Sequence, residues 1–152
     1  ALLGNSRATI NAVDSISTKD GGAVKLLVEG DNNSLVLGAA QSFSEMELNG
    51  NLELTLSAGA QLFLTGETAP TLSIADGKLF TIYNFMEETI YVGENFDYAV
   101  LLKIRAFNSA SELLQLGVKD GYLTSSIPEP AEWAAVFGAF ALGFAAYRRR
   151  SQ

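Results

Sequence analysis

The chain holds no histidine and no cysteine, so any acid–base or nucleophilic chemistry must come from its 17 Asp and Glu, its hydroxyls and its 10 Lys and Arg. A Ser-His-Asp triad, a cysteine nucleophile and a histidine metal site are excluded outright. What survives is a carboxylate pair of the glycosidase kind, two acids facing one another across a bond at about 5–10 Å. Glu87 and Glu88 are adjacent, and on a strand they would point to opposite faces. Glu45, Glu47 and Glu53 share a face by alternation, the polar face opposite the leucines, which reads as a solvated edge. Hard cations want six or more oxygens. Asp31-Asn32-Asn33 after Gly30, and Asp20 before Gly21-Gly22, each offer three or fewer and lack the Gly-Gly-x-Gly-x-Asp repeat of calcium-loaded solenoids. Turn chemistry accounts for these loops, and no catalytic residue, metal or cofactor is expected.

The more specific chemistry lies at the end of the chain. Pro128-Glu129-Pro130 is followed by an apolar run, 131–147, and then by Arg148, Arg149 and Arg150. As a helix the run spans roughly 25 Å, slightly short of a bilayer core of about 30 Å. Trp133 and Tyr147 at its ends and the snorkelling arginines extend it, while Phe137, Phe140, Leu142 and Phe144 supply its bulk. From Trp133 to Tyr147 there is no polar face, so a soluble amphipathic helix is not expected. The prolines favour extended backbone and a helix start after Pro130, with Glu132 near the positive end of the helix dipole. The arginines belong on the cytoplasmic side, which leaves residues before 131 outside.

Proline, acid, proline, a short apolar helix and a terminal basic cluster resemble the PEP-CTERM sorting signal of Gram-negative envelope proteins. The resemblance covers residues 127–152; Glu132 departs from it, a charge where the family has small or apolar residues. It implies export, a transient stay in the inner membrane, recognition of Pro128, Glu129 and Pro130 by an exosortase-type membrane processing enzyme, and removal of the helix. The remainder would then be released, or attached at the cell surface or in the extracellular matrix. Association with extracellular polysaccharide and biofilm is a further implication of the family. The Leu-Pro-x-Thr-Gly sequence of Gram-positive wall anchors is absent.

A protein sorted in this way must first enter the secretory route, yet Ala1-Leu2-Leu3 is not followed by a basic region and a long apolar segment. The expectation is an N-terminally truncated or mature piece. Without residues 128–152, which hold three Arg and two Glu, seven basic and fifteen acidic residues remain, a net charge of −8. That balance argues against a nucleic-acid partner, whose phosphates require Lys and Arg. Without disulfides, stability must come from a hydrophobic core, for which about 125 residues suffice.

The elements that would carry any site read as short strands. Alternation appears at Leu35/Leu37, Met46/Leu48, Leu52/Leu54/Leu56, Leu62/Leu64, Leu72/Ile74 and Val100/Leu102/Ile104, punctuated by Gly30-Asp31, Asn49-Gly50, Ala58-Gly59, Asp76-Gly77, Gly93 and Asp120-Gly121. Leu54, Leu64 and Ile74 mark an interval of ten residues, which suits an antiparallel β-sandwich or a β-solenoid. A two-residue hairpin at Asn49-Gly50 would mix the faces. A three-residue one would set Glu47 against Glu53, two like charges face to face. A solenoid corner avoids both conflicts. The Leu-x-Leu rungs with Gly or Asn corners also resemble, in composition, the β-helix passengers of autotransporter-like proteins. After about Leu79 the pattern turns aromatic (Phe80, Tyr83, Phe85, Tyr91, Phe96, Tyr98, Phe107), which reads as core residues of a sandwich-like cap.

The expectation is therefore an all-β passenger, 1–123, β-solenoid or β-helix-like with a sandwich-like cap, then a linker, 124–130, a transmembrane helix, 131–147, and a basic tail, 148–152. Its role would be non-catalytic, structural or adhesive. The alternatives are the C-terminal part of a polysaccharide hydrolase or lectin, and an unprocessed tail-anchored protein.

Overall fold

The computed structural model describes residues 1–17, 20, 22–67, 70–93 and 96–125. Fourteen strands follow in order: β1 (Leu2–Leu3), β2 (Arg7–Ile10), β3 (Val24–Glu29), β4 (Asn33–Leu37), β5 (Gln41–Asn49), β6 (Leu52–Leu56), β7 (Leu62–Leu64), β8 (Leu72–Ile74), β9 (Phe80–Tyr83), β10 (Ile90–Tyr91), β11 (Ile104–Phe107), β12 (Leu113–Leu114), β13 (Leu116–Lys119) and β14 (Tyr122–Ser125). A six-residue 3₁₀ helix, Tyr98–Lys103, precedes β11. The strands form two sheets, one ordered β1-β3-β5-β7-β10-β14-β13 with β8 also on β5, the other β12-β11-β9-β6-β4-β2.

Through β11 every rung pairs in parallel with the one below it. The chain thus winds from one sheet to the other and back, a β-solenoid-like arrangement rather than an antiparallel sandwich. Inward columns stack on register: Ala8, Leu35, Leu54, Ile82 and Ala106 on one sheet, Val28, Leu48 and Ile74 on the other. From Leu35 and Val28 onward both columns are at most 5% exposed. At about 25 cal/mol per Å² of apolar area removed from water, this two-sided leucine stack is the dominant stabilising term.

The ten-residue interval is not one repeated structural step: from Leu54 to Leu64 the chain changes sheet, and from Leu64 to Ile74 it stays on one. Leu54 lies in β6, on one sheet, whereas Leu64 and Ile74 lie in β7 and β8 on the other, both against the nine-residue β5. Register partners on the second sheet, Arg7↔Ser34, Asn33↔Leu52, Leu52↔Phe80 and Phe80↔Ile104, advance the chain by 27, 19, 28 and 24 residues per coil. Each sheet-to-sheet corner has its own length, so no single sequence period exists. Between Val24 and Leu26 the β3–β5 register slips at a bulge, which turns both Ser44 and Glu45 outward.

Three further expectations change. Val100 and Leu102 lie not on a strand but in the 3₁₀ helix, whose start is capped by Asp97 Oδ1 accepting from the amide of Ala99 at 2.9 Å. Val100 goes inward and Leu102 is 90% exposed. With Leu101 also apolar, alternation there carries no information about the backbone. The parallel rungs continue past Leu79 through β9, β10 and β11, and the antiparallel strands β12, β13 and β14 begin only at Leu113. Thr124, the expected start of the linker, is inside β14.

Asp120-Gly121 is a two-residue hairpin with φ of +51° and +78°, as a type I′ turn requires. Asn49-Gly50 is instead a corner between β5 and β6, which lie on different sheets. The segment expected as a membrane helix lies outside the described residues. Among those residues, no helix is long and apolar enough to cross a membrane.

Candidate functional site

The carboxylates singled out by sequence separate into structural roles. Glu45 and Glu47 project from the outer face of β5 and grip Lys25 of β3 at 2.9 and 2.6 Å. Those hydrogen bonds, Glu47's first, raise the Lys25 pKa above its ordinary value; the same bond, with a second from Asn49 Nδ2, lowers that of Glu47. Glu53 does not join them, because β6 belongs to the opposite sheet. The corner at Asn49–Asn51 divides what alternation places on one face.

The oxygen-rich loop weighed for calcium is a corner ladder. Gly4-Asn5, Gly30-Asp31-Asn32 and Gly50-Asn51 stack coil on coil. Asn32 donates to Asn5 Oδ1 at 3.1 Å, and both residues have φ near +60°. Asn33 is 1% exposed. Its Nδ2 donates to the carbonyls of Glu29, Gly30 and Asn51, and its Oδ1 accepts from the amide of Ser6. Asn51 Oδ1 accepts from the amide of Leu79 at 2.9 Å. The Asp31 carboxylate takes Lys78 Nζ at 3.0 Å and the Asn51 amide at 3.3 Å, which together hold its pKa below the ordinary value. These oxygens and amides are spent on backbone groups, on one another and on Lys78. Among the described residues no three acidic side chains are grouped as metal ligands.

Glu87 and Glu88 are neither on a strand nor on opposite faces. They form a turn ahead of β10, Glu88 with φ of +58°, and both line a cavity of about 370 Å³ with Lys119, Asp120, Tyr122 and Thr124. Glu87 is committed to the end of β14: Oε1 accepts from the Ser125 amide at 2.8 Å and from its hydroxyl. Nothing in the local sequence joins Glu87 to Ser125, 38 residues away.

The aromatics divide by type. Phe80, Phe85 and Phe96 are buried, as core residues. Tyr83 and Phe107 face outward from β9 and β11 and stack at 5.6 Å between centroids, 16° between planes. Tyr91 and Tyr122 meet edge to face at 5.0 Å on the opposite sheet. Tyr98, against Phe96, is 63% exposed. The expectation of core aromatics therefore holds for Phe80, Phe85 and Phe96 and fails for Tyr83, Tyr91, Tyr98 and Phe107. A signal is present in the sequence: in Phe80-Thr81-Ile82-Tyr83, alternation from buried Phe80 assigns Tyr83 to the outer face.

Around Tyr83 and Phe107 the parallel register builds a lattice. Glu53, Thr81 and Arg105 form one outward row across β6, β9 and β11; Thr55, Tyr83 and Phe107 form the next. By strand geometry neighbours are about 4.8 Å apart across strands and about 6.8 Å along them. Neither Glu53 nor Arg105 has an ion-pair partner among the described residues.

Pro128, Glu129, Pro130, Trp133, Phe137, Phe140, Leu142, Phe144, Tyr147 and Arg148 to Arg150 all lie outside the described residues. Comparison with protein-family models, with curated proteins and with solved structures finds no match.

Proposed function

We propose that this chain is an exported, non-catalytic surface or matrix protein, delivered by a C-terminal signal that an exosortase-type membrane enzyme processes. The observation that carries this reading is the order of three chemistries over 25 residues: the rigid Pro128-Glu129-Pro130, the apolar run 131–147, and the Arg148-Arg149-Arg150 cluster. The run parks the exported chain in the inner membrane. The triplet is held extended near the outer leaflet, and the arginines stop the tail from slipping through. The β-solenoid-like passenger suits the role, since its hydrogen bonds close coil on coil and need no disulfide.

The position of the passenger's end also supports the reading. β14 is clasped at Ser125 by Glu87, which leaves Ser126 and Ile127 before Pro128. Three residue steps reach at most about 11 Å, so the folded part would stand close to the membrane until cleavage frees it.

Mass spectrometry of the C-terminus, on protein recovered from the host's outer fraction and culture medium, tests this. The expected result is a chain ending near Pro128-Glu129-Pro130 with the arginine tail gone, and a tail kept when the triplet is replaced by alanines. A membrane-embedded form that retains residues 148–152 in the wild type overturns processing and leaves a plain anchored domain.

A further inference from the structure

We infer that the outer face of the second sheet, centred on Tyr83 and Phe107, is a binding platform for a neutral oligosaccharide of equatorially substituted pyranose rings. This adds a ligand to the surface or matrix role proposed above and is independent of the tail. Two features of the face select the ligand. The stacked rings of Tyr83 and Phe107 offer a rigid apolar surface at low entropic cost, because they already hold each other at 5.6 Å. Tyr83 is 37% exposed, and Leu113, the register partner of Phe107, is 64% exposed, so the apolar strip reaches solvent.

Beside the rings, the row Glu53, Thr81, Arg105 presents an acceptor, a hydroxyl and a donor in succession, with Thr55 completing the lattice. No ion pair within the described residues occupies the Glu53 carboxylate or the Arg105 guanidinium. A ligand matching both rows must be flat and apolar on one side, and must carry groups along its edge that both donate and accept. A pyranose with equatorial hydroxyls has that form: its axial C–H bonds meet the rings, and its hydroxyls answer a carboxylate, a hydroxyl or a guanidinium equally.

Other occupants fit less well. An acidic passenger repels phosphate-rich polymers. A lipid surface would meet the charged row with hydrocarbon. An added peptide strand needs a free sheet edge, whereas Tyr83 sits on β9 with β6 and β11 on either side.

The test is isothermal titration calorimetry of the full chain, kept soluble in micelles of a non-glycosidic detergent, with cellohexaose as the probe. Saturable binding is expected. Tyr83→Ala and Phe107→Ala should each weaken it roughly three- to tenfold, the range an aromatic contact carries. Arg105→Met, which leaves both rings in place, should also weaken it, and keeps the test valid if a ring variant fails to fold. Absence of binding overturns the proposal, as does affinity unchanged in Arg105→Met or in a folded Tyr83→Ala/Phe107→Ala variant. The measurement involves no cleavage, so it can fail while the sorting reading stands, and the reverse.

Discussion

Gly50 shows how a residue can be legible as to type and not as to cause. Asn49-Gly50 announces a turn in any sequence, and the chain bends there, at the corner between β5 and β6. The reason for glycine is a contact 20 residues away, since a Cβ on Gly50 would lie 1.6 Å from the carbonyl oxygen of Gly30 and 2.5 Å from its carbon. Backbone of a neighbouring coil cannot move aside cheaply. Gly59 has a positive φ of +79° but nothing within 4 Å of the place a Cβ would take, so its demand is conformational alone. We expect Gly50→Ala to lower the unfolding free energy by about 3 kcal/mol or more, and Gly59→Ala by about 1 kcal/mol. Denaturant unfolding followed by circular dichroism reads both. Equal costs would show that the corner yields and that the stacked glycines do not set it. Asn33 is a similar case: its sequence context speaks only of turn chemistry, yet it is also the buried residue that satisfies three carbonyls of its own and the next coil.

Among elements, the strands are readable because alternation depends only on which face is buried, and β4, β5, β6, β7 and β8 all fall on the expected leucine pairs. Which sheet each strand joins depends on corner length, and corner length has no periodic signature. That is why alternation groups Glu53 with Glu45 and Glu47, and why it offers no hint that Glu87 and Glu88 form a turn. The 3₁₀ helix leaves no mark of its own because Tyr98–Lys103 holds apolar residues at consecutive positions.

Side-chain ion pairs join different coils: Lys25 with Glu45 and Glu47 and Asp76 with Lys103 on neighbouring ones, and Asp31 with Lys78 across the intervening Gly50-Asn51 corner. The depressed carboxyl pKa values of Asp31, Glu47 and Asp76, against ordinary values of 3.8, 4.5 and 3.8, mean that these groups contribute stability above the ordinary values. They lose it as pH falls through the lowered ones. Lys25, raised above 10.5, contributes fully below that value and loses its contribution as pH rises beyond it. The melting temperature should therefore be level between about pH 5 and 9, and fall on acidification below about pH 4. Because every one of these groups is at the surface, 0.5 M salt should flatten the acid limb. An acid limb insensitive to salt would remove these pairs as its cause.

At the scale of the molecule, the two ends of the stack differ. At one end β1 and β2 each pair on a single side. At the other, β12 pairs with β11 and β14 with β10, both antiparallel, and Leu123 of β14 is fully buried in the same core as Ile90 and Val92. Shortening the chain after Asn108 would uncover β10, β11 and that end of the core. We expect the shortened chain to self-associate, and a chain ending at Ser125 not to do so through this end. Size-exclusion chromatography with light scattering distinguishes them, and a monodisperse monomer after the deeper cut would show that β12–β14 are dispensable as a cover.

The placement of β14 has a mechanical consequence. This is not an edge strand, for β10 lies on one side and β13 on the other, and 27 residues follow Ser125 in the sequence. Tension applied at Ser125 along the strand axis meets both neighbours at once. It must shear the rungs to β13 together with the Tyr91↔Tyr122 contact and the Glu87 clasp, instead of peeling them one at a time. A pull in that direction is thus resisted by the strand's whole length.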